Sequence, residues 1–237
     1  MLPLLLGSAA VAGAASWLGY NCYSPTSQLY GRTVAFGADP RQICLTYDDG
    51  PNDPHTFRLL EVLARHEVRA TFFLIGQYVK ARPDIARAVV SAGHVIGNHT
   101  YTHPRLLLCS AGRVRQELDD CHREIENATG VKVSLFRPPF GARRPAVLKI
   151  ARERGYTPVM WTVTCFDWSE TTAAGVERRA IKGITKQKDR GKIVLLHDGG
   201  HLGMGVDRGH TVIATDRLIR RYKNEGFRFV TVPEFAN

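Results

Sequence analysis

Arg41-Gln42-Ile43-Cys44-Leu45-Thr46-Tyr47-Asp48-Asp49-Gly50-Pro51-Asn52 is the stretch on which the fold turns. Residues 41–45 form an apolar run of strand length, and Gly50-Pro51 ends it. Neighbouring side chains at a strand end point to opposite sides of the backbone. Asp48 and Asp49 are therefore free to take different tasks, one binding a cation and the other accepting a proton. In isolation Asp-Asp-Gly-Pro is ordinary turn chemistry. The rest of the chain decides between these readings.

Outward from this stretch, strand-like runs recur at 41–48, 68–75, 94–98, 131–137, 156–164, 191–197 and 227–232. Helix-like segments fill the gaps at 54–66, 78–92, 110–128, 144–154, 172–188 and 211–225. Val114, Leu118, Cys121 and Ile125 share one helical face, and that segment ends at Gly130, a natural C-cap. Alternation of this kind predicts parallel βαβ units with right-handed crossovers. Short, nearly unbroken apolar strands fit a sheet covered on both faces, either a closed barrel or an open doubly wound sheet. Both architectures bind ligands at the carboxyl ends of the strands. The residues capable of chemistry sort to those ends. Asp48 and Asp49 end the first strand, His99 and His103 follow the third, and Arg137 ends the fourth. Asp167 and Trp168 follow the fifth, and His197-Asp198 ends the sixth.

His99 and His103, four residues apart, share a face if they lie on one helical turn, and could grip a single cation. With a strand-end carboxylate they make three protein ligands, leaving room for water and substrate as a catalytic site requires. Zn²⁺ is the expected ion, and Co²⁺, Ni²⁺ or Mn²⁺ accept the same ligands. Pro138-Pro139 stiffens the chain before Phe140, so the Phe140 N–H becomes a candidate donor to an oxyanion. Arg137 is a candidate partner for the aspartate that does not bind the ion. Asp167 could hold His197 as imidazolium, a general acid near neutral pH, and Trp168 could offer an apolar wall.

The 237 residues carry a net charge of +10, from 32 Lys and Arg against 22 Asp and Glu, all from Arg32 onward. Much of it lies in Arg178, Arg179, Lys182, Lys186, Lys188, Arg190 and Lys192, read as a solvated helix face. No zinc-finger spacing, RNA-binding aromatic motif or basic zipper is present, so nucleic acid is not an expected partner. Cys22, Cys44, Cys109, Cys121 and Cys165 lack the regular spacing of a disulfide framework, although Cys109 and Cys121 could pair in an oxidising compartment. Residues 1–19 contain no charged side chain. They approach the roughly 20 residues that span a bilayer. This segment is read as an export signal or membrane anchor, giving an extracytoplasmic protein, secreted or held at the cell envelope. Residues 20–40 are read as a connector and 41–235 as the functional domain.

Thr46-Tyr47-Asp48-Asp49-Gly50-Pro51, His99-Thr100-Tyr101-Thr102-His103, Arg137-Pro138-Pro139-Phe140-Gly141, Asp167-Trp168 and Leu195-Leu196-His197 resemble, in order, the five motifs of the polysaccharide deacetylases. This is the NodB-homology domain of carbohydrate esterase family 4. The resemblance implies an α/β fold, a distorted (β/α)7 barrel, and metal-dependent removal of acetyl groups from N-acetylated sugars such as chitooligosaccharide or peptidoglycan. It also implies roles: Asp48 the base, Asp49, His99 and His103 the metal ligands, and Arg137 the group that orients Asp48. The Phe140 N–H would serve the oxyanion, His197 would be the acid tuned by Asp167, and Leu195 and Trp168 would line the acetyl pocket. Two positions depart from the family pattern, Tyr47 for a common Phe and Thr164 for a common Asp. Competing expectations are an O-acetyl esterase of the xylan type and a catalytically silent sugar-binding module.

Overall fold

A computed structural model describes residues 16–236. The apolar segment expected at 1–19 therefore lies, up to residue 15, outside the described residues. Along the chain, α1 (described from 16 to 23) and β1 (Phe36–Gly37) lead into β2 (Gln42–Gly50) and α2 (His55–Arg65). Then follow β3 (Thr71–Leu74), α3 (Gly76–Ala81), α4 (Pro83–Ser91), β4 (Val95–Asn98) and α5 (Ala111–Thr129). Next come β5 (Leu135–Phe136), α6 (Pro145–Glu153), β6 (Thr157–Pro158), β7 (Val163–Thr164) and α7 (Ala173–Lys186). The chain closes with β8 (Gly191–His197), α8 (Gly209–Asn224), β9 (Arg228–Phe229) and α9 (Val232–Ala236). No helix among the described residues is long and apolar enough to cross a membrane.

The strand order is β1-β8-β2-β3-β4-β5-β6, parallel throughout except for β1 on β8. β2 is the axis of this sheet, paired with β8 from Ile43↔Lys192 to Asp48↔His197 and with β3 from Thr46↔Thr71. The sheet curls far enough for residues 34–37 to bridge its two ends. Val34 pairs with Val159 beside β6, while Phe36 and Gly37 pair with β8. The result is the distorted α/β barrel expected of a NodB-type domain. Period-two alternation divides β2 cleanly. Ile43, Leu45 and Tyr47 pack into the layer between sheet and helices, and Cys44 packs inside with Phe73, Ile193 and Leu195. Both faces are dry, which is why β2 reads as a continuous apolar run.

Several expectations need correction. The helix expected at 78–92 is two helices, because Pro83 pushes Arg82 to φ −133° and ψ 66°, outside the helical region. The single strand expected at 156–164 is β6 and β7, which pair with different neighbours. The connector 20–40 is not a free linker. It contains β1, and its Cys22, Ser24 and Ser27 carbonyls accept hydrogen bonds from Arg143. Cys109 and Cys121 are unpaired, as are the other three cysteines, and Cys44, Cys121 and Cys165 are buried. Lys192 does not belong to the exposed basic face; it is buried in β8, and its Nζ donates to Pro40 O at 2.5 Å.

Candidate active site

Alternation along β2 turns Thr46 and Asp48 inward, and Arg137, at the end of β5, meets them. Its guanidinium donates to Asp48 Oδ1 at 2.7 Å and to Thr46 Oγ1 at 2.8 Å. It also reaches Met160 O at 3.2 Å and lies 4.2 Å from the centre of the Phe73 ring. Both partners are sealed from water, Arg137 at 0% exposure and Asp48 at 3%. A buried pair of this kind holds its geometry strictly, since removing one partner leaves the other charge uncompensated.

Asp49 does not point to the opposite side of the sheet, as alternation predicts. The pairing of β2 with β3 shifts register between Asp48 and Gly50, and Asp49 takes a left-handed φ of 69°. This bulge re-aims the carboxylate, so both aspartates face one cavity. There Asp49 Oδ1 lies 3.2 Å from His103 Nε2 and 3.4 Å from His99 Nε2. The two histidines do not share a helical turn. They come from a loop in which Thr100 and His103 have φ values of 70° and 58°. The His103 N–H donates to Thr100 Oγ1 at 3.1 Å. Glu117 of α5, almost fully buried, holds this loop by accepting from the Tyr101 and Thr102 N–H groups, each at 2.8 Å, and from Thr102 Oγ1 at 2.6 Å.

This trio fits a cation. One donor atom from each of Asp49, His99 and His103 lies within 4.8 Å of the others, all buried. Among the described residues Asp49 Oδ1 has no hydrogen-bond donor, although it is shut off from solvent. His99 Nδ1 is 2.7 Å from Arg137 O, a carbonyl that can only accept, so Nδ1 carries a hydrogen and Nε2 is the ring nitrogen that faces the cavity. Burial and the adjacent His99 push the His103 imidazole down to about 3, so it is neutral and able to ligate. Burial opposes ionisation of Asp49, but His99, with His197 and His103 beyond it, holds its carboxyl well below the usual carboxylate range.

Across the cavity, β8 delivers His197 in register with Asp48. Its Nδ1 is 2.8 Å from Asp167 Oδ1, and its N–H donates to Asp167 Oδ2 at 2.7 Å. Thr211 Oγ1 donates to the same Oδ2 at 3.0 Å, and Arg208 and His210 reach the Asp167 carbonyl at 3.0 and 2.8 Å. Burial works against the imidazolium, yet the Asp167 carboxylate, with Asp49 and Asp48 behind it, pushes His197 up to about 9.

The cavity of about 470 Å³ is lined by Asp48, Asp49, His99, His103, Phe140, Trp168, Leu195 and His197, among others. Of the strand-end and pocket residues singled out in the sequence, three do not border it: Arg137 and Asp167, which stand directly behind Asp48 and His197, and Asp198, which is buried and accepts from Thr56 Oγ1 at 2.5 Å. Trp168 is half-exposed and lies edge-on to His197 at 5.1 Å. Thr164, the departure from the family pattern, accepts from Trp161 Nε1 at 2.8 Å and fixes that indole in the cavity wall. Glu117 escaped the sequence reading. It sits three residues after Val114, beside the apolar stripe of α5, where a carboxylate is conspicuous. His201 belongs to the glycine-rich loop after β8 and packs on His103 at 4.8 Å and Phe140 at 5.1 Å.

The sequence pattern of the polysaccharide deacetylase family matches residues 37–159. A peptidoglycan-N-acetylglucosamine deacetylase from Bacillus cereus is 34% identical over 215 residues, covering 89% of this chain and 74% of that protein. A chitooligosaccharide deacetylase from Rhizobium leguminosarum bv. trifolii is 34% identical, covering 84% of this chain and 93% of the relative. Among solved structures, a family 4 carbohydrate esterase pseudoenzyme from Bacillus anthracis superimposes with a TM-score of 0.78 at 32% identity, over 90% of this chain and 70% of that one.

Proposed function

The chain belongs to the polysaccharide deacetylase family, and from that premise we propose that it is a metal-dependent hydrolase of N-acetyl groups on an amino-sugar polymer, peptidoglycan or chitooligosaccharide. Asp49, His99 and His103 would hold one divalent ion, Zn²⁺ in the first instance given the two imidazoles and one carboxylate. Such an ion supplies Lewis acidity, lowering the pKa of a water and polarising the amide carbonyl.

The chain's own groups carry the protons. Asp48 has Oδ1 committed to Arg137, while Oδ2 is 3.7 Å from His99 Nε2 on the cavity side. It accepts the proton of the attacking water. Arg137 fixes that carboxylate in direction. The Phe140 N–H, following Pro138-Pro139, donates to the developing oxyanion. His197, held as imidazolium by Asp167, gives the proton on Nε2 to the leaving nitrogen, and acetate separates from the free amine. Trp168 and Leu195 wall the space for the acetyl methyl group. Each proton transfer contributes roughly 10²–10⁴-fold in rate.

The observation that carries this reading is one cavity with a ligand-ready imidazole on one side and a protonated one on the other. Shared fold alone does not grant turnover, as the Bacillus anthracis pseudoenzyme illustrates. A place outside the cytoplasm, secreted or anchored through residues 1–19, follows from that segment's sequence and from the substrate. The test is acetate release from N-acetylated peptidoglycan fragments, chitooligosaccharides and O-acetylated xylan. Release from the amides supports the proposal. Release from xylan alone would make the protein an O-acetyl esterase, and binding without release would make it a silent sugar binder.

A further inference from the structure

Arg143 is 1% exposed and has no carboxylate partner among the described residues, an unusual condition for a guanidinium. Carbonyl oxygens take the place of a counter-ion. Arg143 donates to Gly141 O at 3.1 Å, Ser24 O at 2.6 Å and Ser27 O at 2.9 Å. Its own N–H donates to Cys22 O at 3.0 Å. One side chain therefore ties the segment after α1 to the turn that follows β5.

That turn needs holding. Phe140 has φ 58° and ψ 10°, the left-handed region, which is strained for a residue with a Cβ. Such a conformation persists only where the surroundings over-determine it. The next residue, Gly141, has φ 64°, and a Cβ there would come within 2.6 Å of the Trp161 ring. Reversal of the chain at Phe140 sets the direction of its N–H and lays its ring on His103 at 4.6 Å. The segment that anchors Arg143 is itself well braced. Ser27 Oγ donates to Asn21 Oδ1 at 2.6 Å, and Asn21 Nδ2 donates to Trp17 O at 2.8 Å.

We propose that residues 17–27, which precede the 37–159 matched by the family pattern, are part of the catalytic apparatus, and that Arg143 is the positioning residue through which they act. The path runs from the braced segment through Arg143 to Gly141 O, and so to the Phe140 N–H. This rests on the deacetylase reading, because it assigns the segment to the oxyanion donor of that reaction.

The test uses full-length Arg143→Met, Arg143→Lys and Asn21→Leu, with kcat and KM from acetate release and ion affinity from calorimetric titration with Zn²⁺. Misplacing a reacting geometry by an ångström costs on the order of 10²-fold. Arg143→Met is expected to lose about that much in kcat, with KM and Zn²⁺ affinity within about twofold of wild type. Arg143→Lys recovers part of the loss, since an ammonium still reaches some of the carbonyls. Asn21→Leu, touching neither cavity nor Arg143, lowers kcat by about threefold to tenfold in the same pattern. If Arg143→Met does not fold, Asn21→Leu decides. Unchanged kcat in the folded variants, or a kcat loss matched by loss of Zn²⁺ affinity, overturns the proposal while leaving the deacetylase reading intact. Wild-type protein that releases no acetate from any amide substrate overturns that reading and this inference with it.

Discussion

His103 and His197 face one cavity, both largely withdrawn from water, and their protons are held in opposite ways. Burial and the neighbouring His99 push His103 down to about 3, whereas Asp167 overcomes burial and pushes His197 up to about 9. The difference lies in how carboxylates are shared. Asp49 serves two imidazoles at 3.4 and 3.2 Å with a single oxygen, and that oxygen has no hydrogen-bond donor among the described residues. Asp167 gives both oxygens to His197, one to the ring and one to the N–H. A neutral imidazole ligates a cation and a charged one donates a proton, so two residues of one type are set to different work by their surroundings.

The sharpest way to break this contrast is to remove chemistry from one side without touching the other. Asp48→Asn is expected to cost about 10²–10⁴-fold in acetate release while the ion stays bound, measured by activity alongside metal content. Loss of the ion with the activity would mean that Asp48 is a ligand and not the base. Arg137→Met leaves Asp48 buried without its partner, and should lower unfolding free energy by about 3–5 kcal/mol in urea titration. Little change there would show that Asp48 does not depend on that guanidinium.

Asp167→Asn sharpens the other side. An acid must be protonated to act, so wild-type activity should persist below the His197 pKa and fall as pH rises through about 9. In the variant, the alkaline limb should move down towards about 6.5, the ordinary histidine value. The same shift feeds stability. Its contribution is full below the unfolded pKa of about 6.5. It is lost as pH rises through about 9. An alkaline limb that stays in place would take His197 out of the acid role. The smallest expected effect is that of Thr164→Val, which strands the Trp161 N–H in the cavity wall. A stability loss of about 1 kcal/mol is expected, seen by thermal melting.

Most of the architecture was legible because its signals are local. The apolar run at 41–45 marked a strand covered on both faces, and chemically able residues clustered at strand ends. What escaped depends on contacts distant in sequence. The register shift that turns Asp49 inward arises between β2 and β3. The approach of His99 to His103 is made by a loop wrapped around Glu117, not by helical spacing. Residues 20–40 looked like a polar connector because Arg143, which gives them a place, lies more than 100 positions further along.

The most direct measurement is the titration of chelator-stripped protein with Zn²⁺, with bound ion and acetate release followed together. One ion per chain is expected to bind, restoring activity in proportion, with Asp49→Ala losing both and Asp48→Asn losing only turnover. Full activity in the stripped protein, or an Asp49→Ala variant that binds Zn²⁺ as tightly as wild type, would contradict a metal centre at Asp49, His99 and His103.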